Sequence, residues 1–271
     1  MTKSGKTLLL IGVDSKRLLS VRLALQSPGV KLAGVAFAPS HLAEDVRQTE
    51  VLLQAAALQE VPLAVCEAAQ LSPVQCSGHV GAGVRTDGAV ALPLTAAELI
   101  VSQASRHRGE LVVVVLGALS DLAKALAIDP ELPGKLAGVV FHGGAICVPG
   151  DVTMVAEANV YADPEAAAYV LAANLPLLIV PLDATRTGSL APEQLDRLEA
   201  SIAVMAALHP ELVQRERLKL SVECQSQLSR GALLADRRAI PRVGHDAEVC
   251  LEADVEQILR RAADADREDA R

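Results

Sequence analysis

The sequence predicts an α/β protein built on a doubly wound, mainly parallel sheet with helices on both faces. Three observations carry this. Aliphatic runs such as TLLLIGV (7–13), ELVVVVLG (110–117) and LPLLIVPLD (175–183) alternate with stretches of helical periodicity. Strands covered on both faces read as such unbroken runs. Apolar residues make up 51% of the 271 residues but aromatics only 1%, with no Trp, so the core must be aliphatic. The strand–helix–strand unit also recurs without a linker rich in Pro, Gly or Ser. That pattern implies one parallel sheet, and a single domain is expected over 1–271.

The elements follow in order. TLLLIGV is the first strand, SKRLLSVRLALQ a helix, and VKLAGVAF (30–37) the second strand after the turn Ser27-Pro28-Gly29. LAEDVRQTEVLLQAAALQ is an amphipathic helix and VPLAVC (61–66) a short third strand. The polar, glycine-rich stretch 67–90 is the longest loop. PLTAAELIVSQASRHR is a helix opened by Thr95 with Glu98 at capping-box spacing. ELVVVVLG and KLAGVVF are strands four and five, separated by the helix SDLAKALAI and the turn DPELPG. Residues 151–164, DVTMVAEANVYADP, are too polar for a strand and too irregular for a helix. Asp163-Pro164 reads as the cap and first residue of the helix PEAAAYVLAA. LPLLIVPLD is the sixth strand. Beyond 188, helices are expected at 192–208 and 210–235, a late strand near 247–253, and a charged terminal helix that frays.

In such sheets ligands sit beyond the carboxyl ends of the strands. The places to search are therefore Gly12–Lys16, Ala38–Ala43, 67–90, Gly117–Asp121, His142–Asp163 and Asp183–Ser189. Several function classes are excluded first. A formal net charge of −8 without a basic tract offers no footprint for nucleic acid. GVDSKRLL after the first strand has one glycine, not the three of a dinucleotide fingerprint, and neither a P-loop nor a G-x-S-x-G elbow occurs. Five cysteines at 66, 76, 147, 224 and 250 form no C-x-x-C pair and suggest reduced thiols in the cytoplasm. The apolar run at the N-terminus is too short for a membrane span. A small-molecule ligand fits best, in a homo-oligomer. Of the six histidines, His142 and His79 lie in strand-end loops and are the best candidates for a polar contact.

The stretch VVFHGGAICVPGDVTMVAEANVYADPEAAAYVL, between LVVVVLGALSDLAKALAIDPEL and LPLLIVPLD, resembles the inosine–uridine-preferring nucleoside hydrolases. The resemblance is good over roughly 110–190 and thinner towards both ends. It implies hydrolysis of the N-glycosidic bond of ribonucleosides, with a calcium ion held by aspartates, an acid that activates water, and Glu and Asn side chains that hold the sugar. An oxocarbenium-like transition state is served by nearby negative charge and a placed water. Carried over by position, Glu157 and Asn159 match the sugar-holding pair, and Asp151 stands where the family has Asn. Gly143 and Gly144 match a glycine pair, and His142 replaces a Met. Ser120 replaces a Thr whose carbonyl ligates the metal.

The N-terminal motif departs from the family. Where the family reads Asp-x-Asp-Pro-Gly-x-Asp-Asp, this chain reads GVDSKRLL: Asp14 is kept, Gly12 replaces the first Asp, and Leu18 and Leu19 replace the last two. Asp236, in ALLADRRAI, is favoured over Asp246 as the second retained acid, with Ala235 in place of a His. Ser40 is the nearest polar residue to an early-loop Asn. Asp14, Asp236 and the Ser120 carbonyl would leave calcium weakly held or absent, because leucines cannot ligate a cation that needs six to eight oxygens. Lys16 or Arg17 is a candidate to set a cationic head in the metal's place. The expectation is a nucleoside hydrolase-like protein with altered activity. The alternative is a non-catalytic nucleoside- or ribose-binding protein, or a structural or regulatory paralogue.

Overall fold

A computed structural model describes residues 6–14, 17–67, 92–185 and 192–268. The long loop expected at 67–90, with His79 and Cys76, falls almost wholly outside these, as does Lys16. The described strands form one nine-stranded sheet. In chain order they are β1 (Lys6–Val13), β2 (Val30–Phe37), β3 (Leu63–Val65), β4 (Leu111–Val115), β5 (Gly138–His142), β6 (Leu177–Val180), β7 (Val213–Val222), β8 (Leu233–Ala235) and β9 (His245–Ala253). Their order across the sheet is β3-β2-β1-β4-β5-β6-β9-β7-β8. The run from β3 to β9 is parallel, and β7 is antiparallel to both β9 and β8.

The helices are α1 (Leu18–Gln26), α2 (Leu42–Ala55), α3 (Ala96–Arg106), α4 (Ser120–Ile128), α5 (Ala158–Ala162), α6 (Pro164–Ala172), α7 (Pro192–Leu208) and α8 (Val255–Glu268). The strand period of two divides the core. Leu8 and Leu10 of β1 face one layer, with α1, α2, α7 and α8, and Val13 joins them past the register shift between Ile11 and Val13. Leu9 and Ile11 face the other, with α3, α4 and α6. Both phenylalanines of the chain, Phe37 and Phe141, are fully buried in strands. Thr95 and Glu98 form the expected capping box, and Asp163 caps α6 with Pro164 at its first turn.

The helix expected at 210–235 is not formed. A short 3-10 turn at Pro210–Leu212 leads into β7, and β8 follows. The segment QRERLKLSV alternates rather than following a helical period. Leu218 and Leu220 are buried on the core side. Arg215 and Lys219 point the other way and pair with Glu248 and Asp246 of β9 at 3.0 and 2.7 Å. Cross-strand charge pairing and two buried leucines outweigh the helix propensity of Gln, Arg, Glu and Lys. His245 and Asp246 are therefore the opening residues of β9.

Candidate functional site

The carboxyl ends of β1, β4, β5 and β6 converge where the ligand loops are expected. β1 runs directly into Asp14. The Arg17 amide donates to the Asp14 carbonyl at 2.8 Å and to its Oδ1 at 3.1 Å, and the Arg17 guanidinium donates to Oδ2 at 2.6 Å. Asp14 thus closes a tight turn and holds the arginine. Leu18 and Leu19 lie beyond it, packed into the core layer under α1. Gly12 has φ +80°, and a Cβ there would stand 2.6 Å from the Gly117 amide nitrogen. An L-residue is excluded twice over, by the left-handed backbone and by the approach of the loop after β4.

β5 ends at His142. A Cβ on Gly143 would strike the Phe141 ring at 2.3 Å and come within 3.0 Å of Glu157 Oε2, and Gly144 has φ +89°. The glycine pair thereby lets the Glu157 carboxylate settle against the strand end. Glu157, 2% exposed, is the N-cap of α5. Its Oε1 accepts from the Asn159 amide at 2.9 Å, and its Oε2 from the Gly144 and Val160 amides at 2.7 and 3.2 Å. Burial raises its pKa, and the charge of His142 and these amides offset part of that. The Asn159 side-chain amide donates to the Leu116 carbonyl at 3.2 Å and to the His142 carbonyl at 2.9 Å, tying the ends of β4 and β5 together.

The His142 ring is buried. Its Nδ1 lies 3.2 Å from the Val180 carbonyl, an arrangement in which Nδ1–H donates and Nε2 is left facing Glu199 Oε2 at 3.6 Å. Burial opposes protonation of this ring. The contact with Glu199 and the charges of Glu157 and Glu199 outweigh it, so the net direction is up. A cavity of about 130 Å³ opens here, lined by Arg17, His142, Asp151, Glu157, Ala158, Glu199 and Ala200. Asp151 is exposed at the rim, where its Oδ1 accepts from the Ala158 amide at 2.9 Å.

The expected residues therefore separate. His142, Asp151 and Glu157 line one cavity. Asn159 lies among the strand ends beside Glu157 and His142, and Asp14 stands behind Arg17. Ser120 opens α4, and its hydroxyl donates to Asp163 Oδ2 at 2.6 Å. As the first helical residue its carbonyl enters the helix's own ladder. Asp236 is outside the cavity lining. Its carboxylate accepts from the Arg238 side chain at 2.8 and 2.7 Å and from the Arg238 and Val243 amides, with Arg238 chiefly driving its pKa far down. Glu199 went unrecognised in the sequence. It sits in an ordinary helix with no motif, and only the packing of α7 against β5 brings it to His142.

Calcium does not fit these donors. Asp14 is paired with Arg17 and Asp236 with Arg238, and the Ser120 carbonyl opens a helix. Among the described residues, no three His, Cys, Asp or Glu side chains are grouped to hold a metal ion.

The fold and the convergence of these strand-end loops define a doubly wound α/β protein with a candidate small-molecule site at the carboxyl ends of its strands. The family model described as inosine-uridine preferring nucleoside hydrolase matches residues 12–260, and the chain belongs to that family. It is 36% identical over 109 residues to a probable uridine nucleosidase 2 of Arabidopsis thaliana (40% of this chain, 34% of that protein). It is 30% identical over 186 residues to a probable uridine nucleosidase 2 of Oryza sativa subsp. japonica (64% and 55%). These matches span between a third and somewhat over half of the relatives' lengths. A plant nucleoside hydrolase, PpNRh1, superposes with a TM-score of 0.78 at 18% identity, covering 96% of this chain and 98% of that one. A purine-preferring ribonucleoside hydrolase from Gardnerella vaginalis does so with 0.74 at 20% identity, with the same coverage. At such identities the superpositions speak to the fold.

Proposed function

We propose that the protein recognises nucleosides through their ribose without calcium, and that the family's hydrolysis of the N-glycosidic bond is not driven here by a metal-bound water. The observation that carries this is Arg17, whose guanidinium is fixed to Asp14 at 2.6 Å and faces the same cavity as Glu157, Asp151 and His142. A guanidinium donates to vicinal hydroxyls in a fixed fork. Carboxylates opposite it accept from the same hydroxyls, so a neutral polyol satisfies both. Three acidic side chains against one already paired arginine disfavour an anionic sugar phosphate.

The test is calorimetry with ribose, inosine, uridine and uridine monophosphate, in EDTA and in added calcium, alongside an assay of released base and ribose. Nucleosides should bind equally in both buffers, the monophosphate much more weakly, and Arg17→Met should abolish binding. Calcium-dependent turnover would overturn the proposal. The second reading, a scaffold without a ligand, is favoured by the engagement of Glu157 and Asn159 with backbone groups. It prevails if neither ribose nor any nucleoside binds.

A further inference from the structure

α2 turns five residues inward: Leu42, Asp45, Val46, Thr49 and Leu53. This is the i, i+3, i+4, i+7 stripe of an amphipathic helix, with an acid and a hydroxyl at two of its core positions. Asp45 and Thr49 have 0% exposure. Among the described residues, neither Asp45 oxygen has a hydrogen-bond partner, and neither has the Thr49 hydroxyl. The Ser20 hydroxyl of α1, in the same helical layer, is fully buried and likewise without a partner among the described residues. Asp45 and Thr49 are four residues apart, so they are neighbours on one helical face.

Buried polar groups are almost always satisfied, and a buried carboxylate without partner or counter-charge is the costliest exception. Burial and then the Asp14 charge push the Asp45 carboxyl up to about 6, Glu44 adds to this, and His41 opposes it. Two acids, Asp14 and Glu44, thus act on Asp45 against one histidine, and among the described residues no donor bonds the Asp45 or Thr49 oxygens. That combination lacks a cation rather than another acceptor. A single carboxylate compensates one positive charge, whereas a divalent ion would need further acids.

We propose that Asp45 and Thr49 hold a monovalent cation, sodium or potassium, on the inner face of α2, with both Asp45 oxygens and the Thr49 hydroxyl as ligands. The proposal is independent of ribose recognition. The site ties the acid of α2 to the layer beneath it, so binding stabilises the folded chain.

The experiment is thermal unfolding of the full chain at about pH 7.5 in sodium, potassium or N-methylglucamine chloride at equal ionic strength. The midpoint should stand several degrees higher in sodium or potassium than in N-methylglucamine. Asp45→Asn should melt higher than the wild type in N-methylglucamine and lose the cation dependence. Thr49→Val keeps the charge and should weaken that dependence. In crystals grown with rubidium, an anomalous peak should lie between the two side chains. Equal wild-type midpoints in all three salts, or a cation effect undiminished by Asp45→Asn, would overturn the assignment.

Discussion

Replacing Asn159 by Asp separates a scaffold role from a sugar-binding one. The change is nearly isosteric, yet it turns a group that donates to two carbonyl oxygens, at 3.2 and 2.9 Å, into one that only accepts. Two neutral hydrogen bonds are lost at about 1 kcal/mol each. The new carboxylate faces two carbonyls in a site only 8% exposed, and that repulsion with burial adds roughly 1–3 kcal/mol. The sum, about 3–5 kcal/mol, corresponds to a fall of about 10 °C in melting temperature for a chain of this size. The sign of the pH dependence follows. The new carboxyl's folded pKa is raised above its unfolded value, so its contribution to stability is present in acid and lost as pH rises through the folded value. The deficit should be widest near pH 8 and narrow near pH 4, where a protonated carboxyl can again donate to one carbonyl. Circular dichroism melts at several pH values measure this. A variant that melts within about 1 °C of the wild type at pH 8 would refute the claim that Asn159 ties β4 to β5.

Other outcomes follow from the same geometry. Gly12→Ala should cost about 1–3 kcal/mol for the left-handed backbone alone, with the 2.6 Å approach to Gly117 adding to it, and denaturant unfolding reads the loss. Asp163→Ala removes the α6 cap and the partner of Ser120, a loss of about 2 kcal/mol. In a double-mutant cycle with Ser120→Ala, a coupling of about 1 kcal/mol should appear, and strict additivity would deny the bond. Asp121 is buried and its carboxyl is pushed up to about 6 by that burial, opposed by the Glu67 amide and Lys124. Its contribution to stability is thus present in acid and lost as pH rises through about 6, by roughly 3 kcal/mol. Asp121→Asn should flatten that part of the stability–pH curve.

Most of the fold was legible because the parallel strands declare themselves as aliphatic runs and the helices between them carry their own caps, as at Thr95 and Asp163. The antiparallel edge was not. In β7, charged residues flank two core leucines, and the segment becomes a strand only once β9 supplies the opposite charges. The site was half legible. GVDSKRLL and the loop at 151–164 named Asp14, Arg17, Asp151 and Glu157 as neighbours in space. Sequence order could not show that Asp236 is consumed by Arg238 two residues on, nor that α7 delivers Glu199 to His142. Both depend on where a chain turns.

The two halves of the site differ in what folding requires of them. The positions at which the resemblance implies two acids, Leu18 and Leu19, are core positions here. Leu18 and Leu19 at those positions add apolar burial to the layer under α1, which favours the fold. Glu157 and Asn159 are tied to backbone groups instead. One caps a helix and satisfies three amides, and the other joins two strand ends, so replacing either leaves buried backbone groups unpaired. Their presence is therefore accounted for by the fold whether or not a sugar ever binds. Arg17 is different. Its guanidinium lies at a cavity rather than in the core, and the tight turn at Asp14 is closed by the arginine's backbone amide, which any residue but proline supplies. A ligand role is thus better tested at Arg17 than at the motif residues that first suggest it.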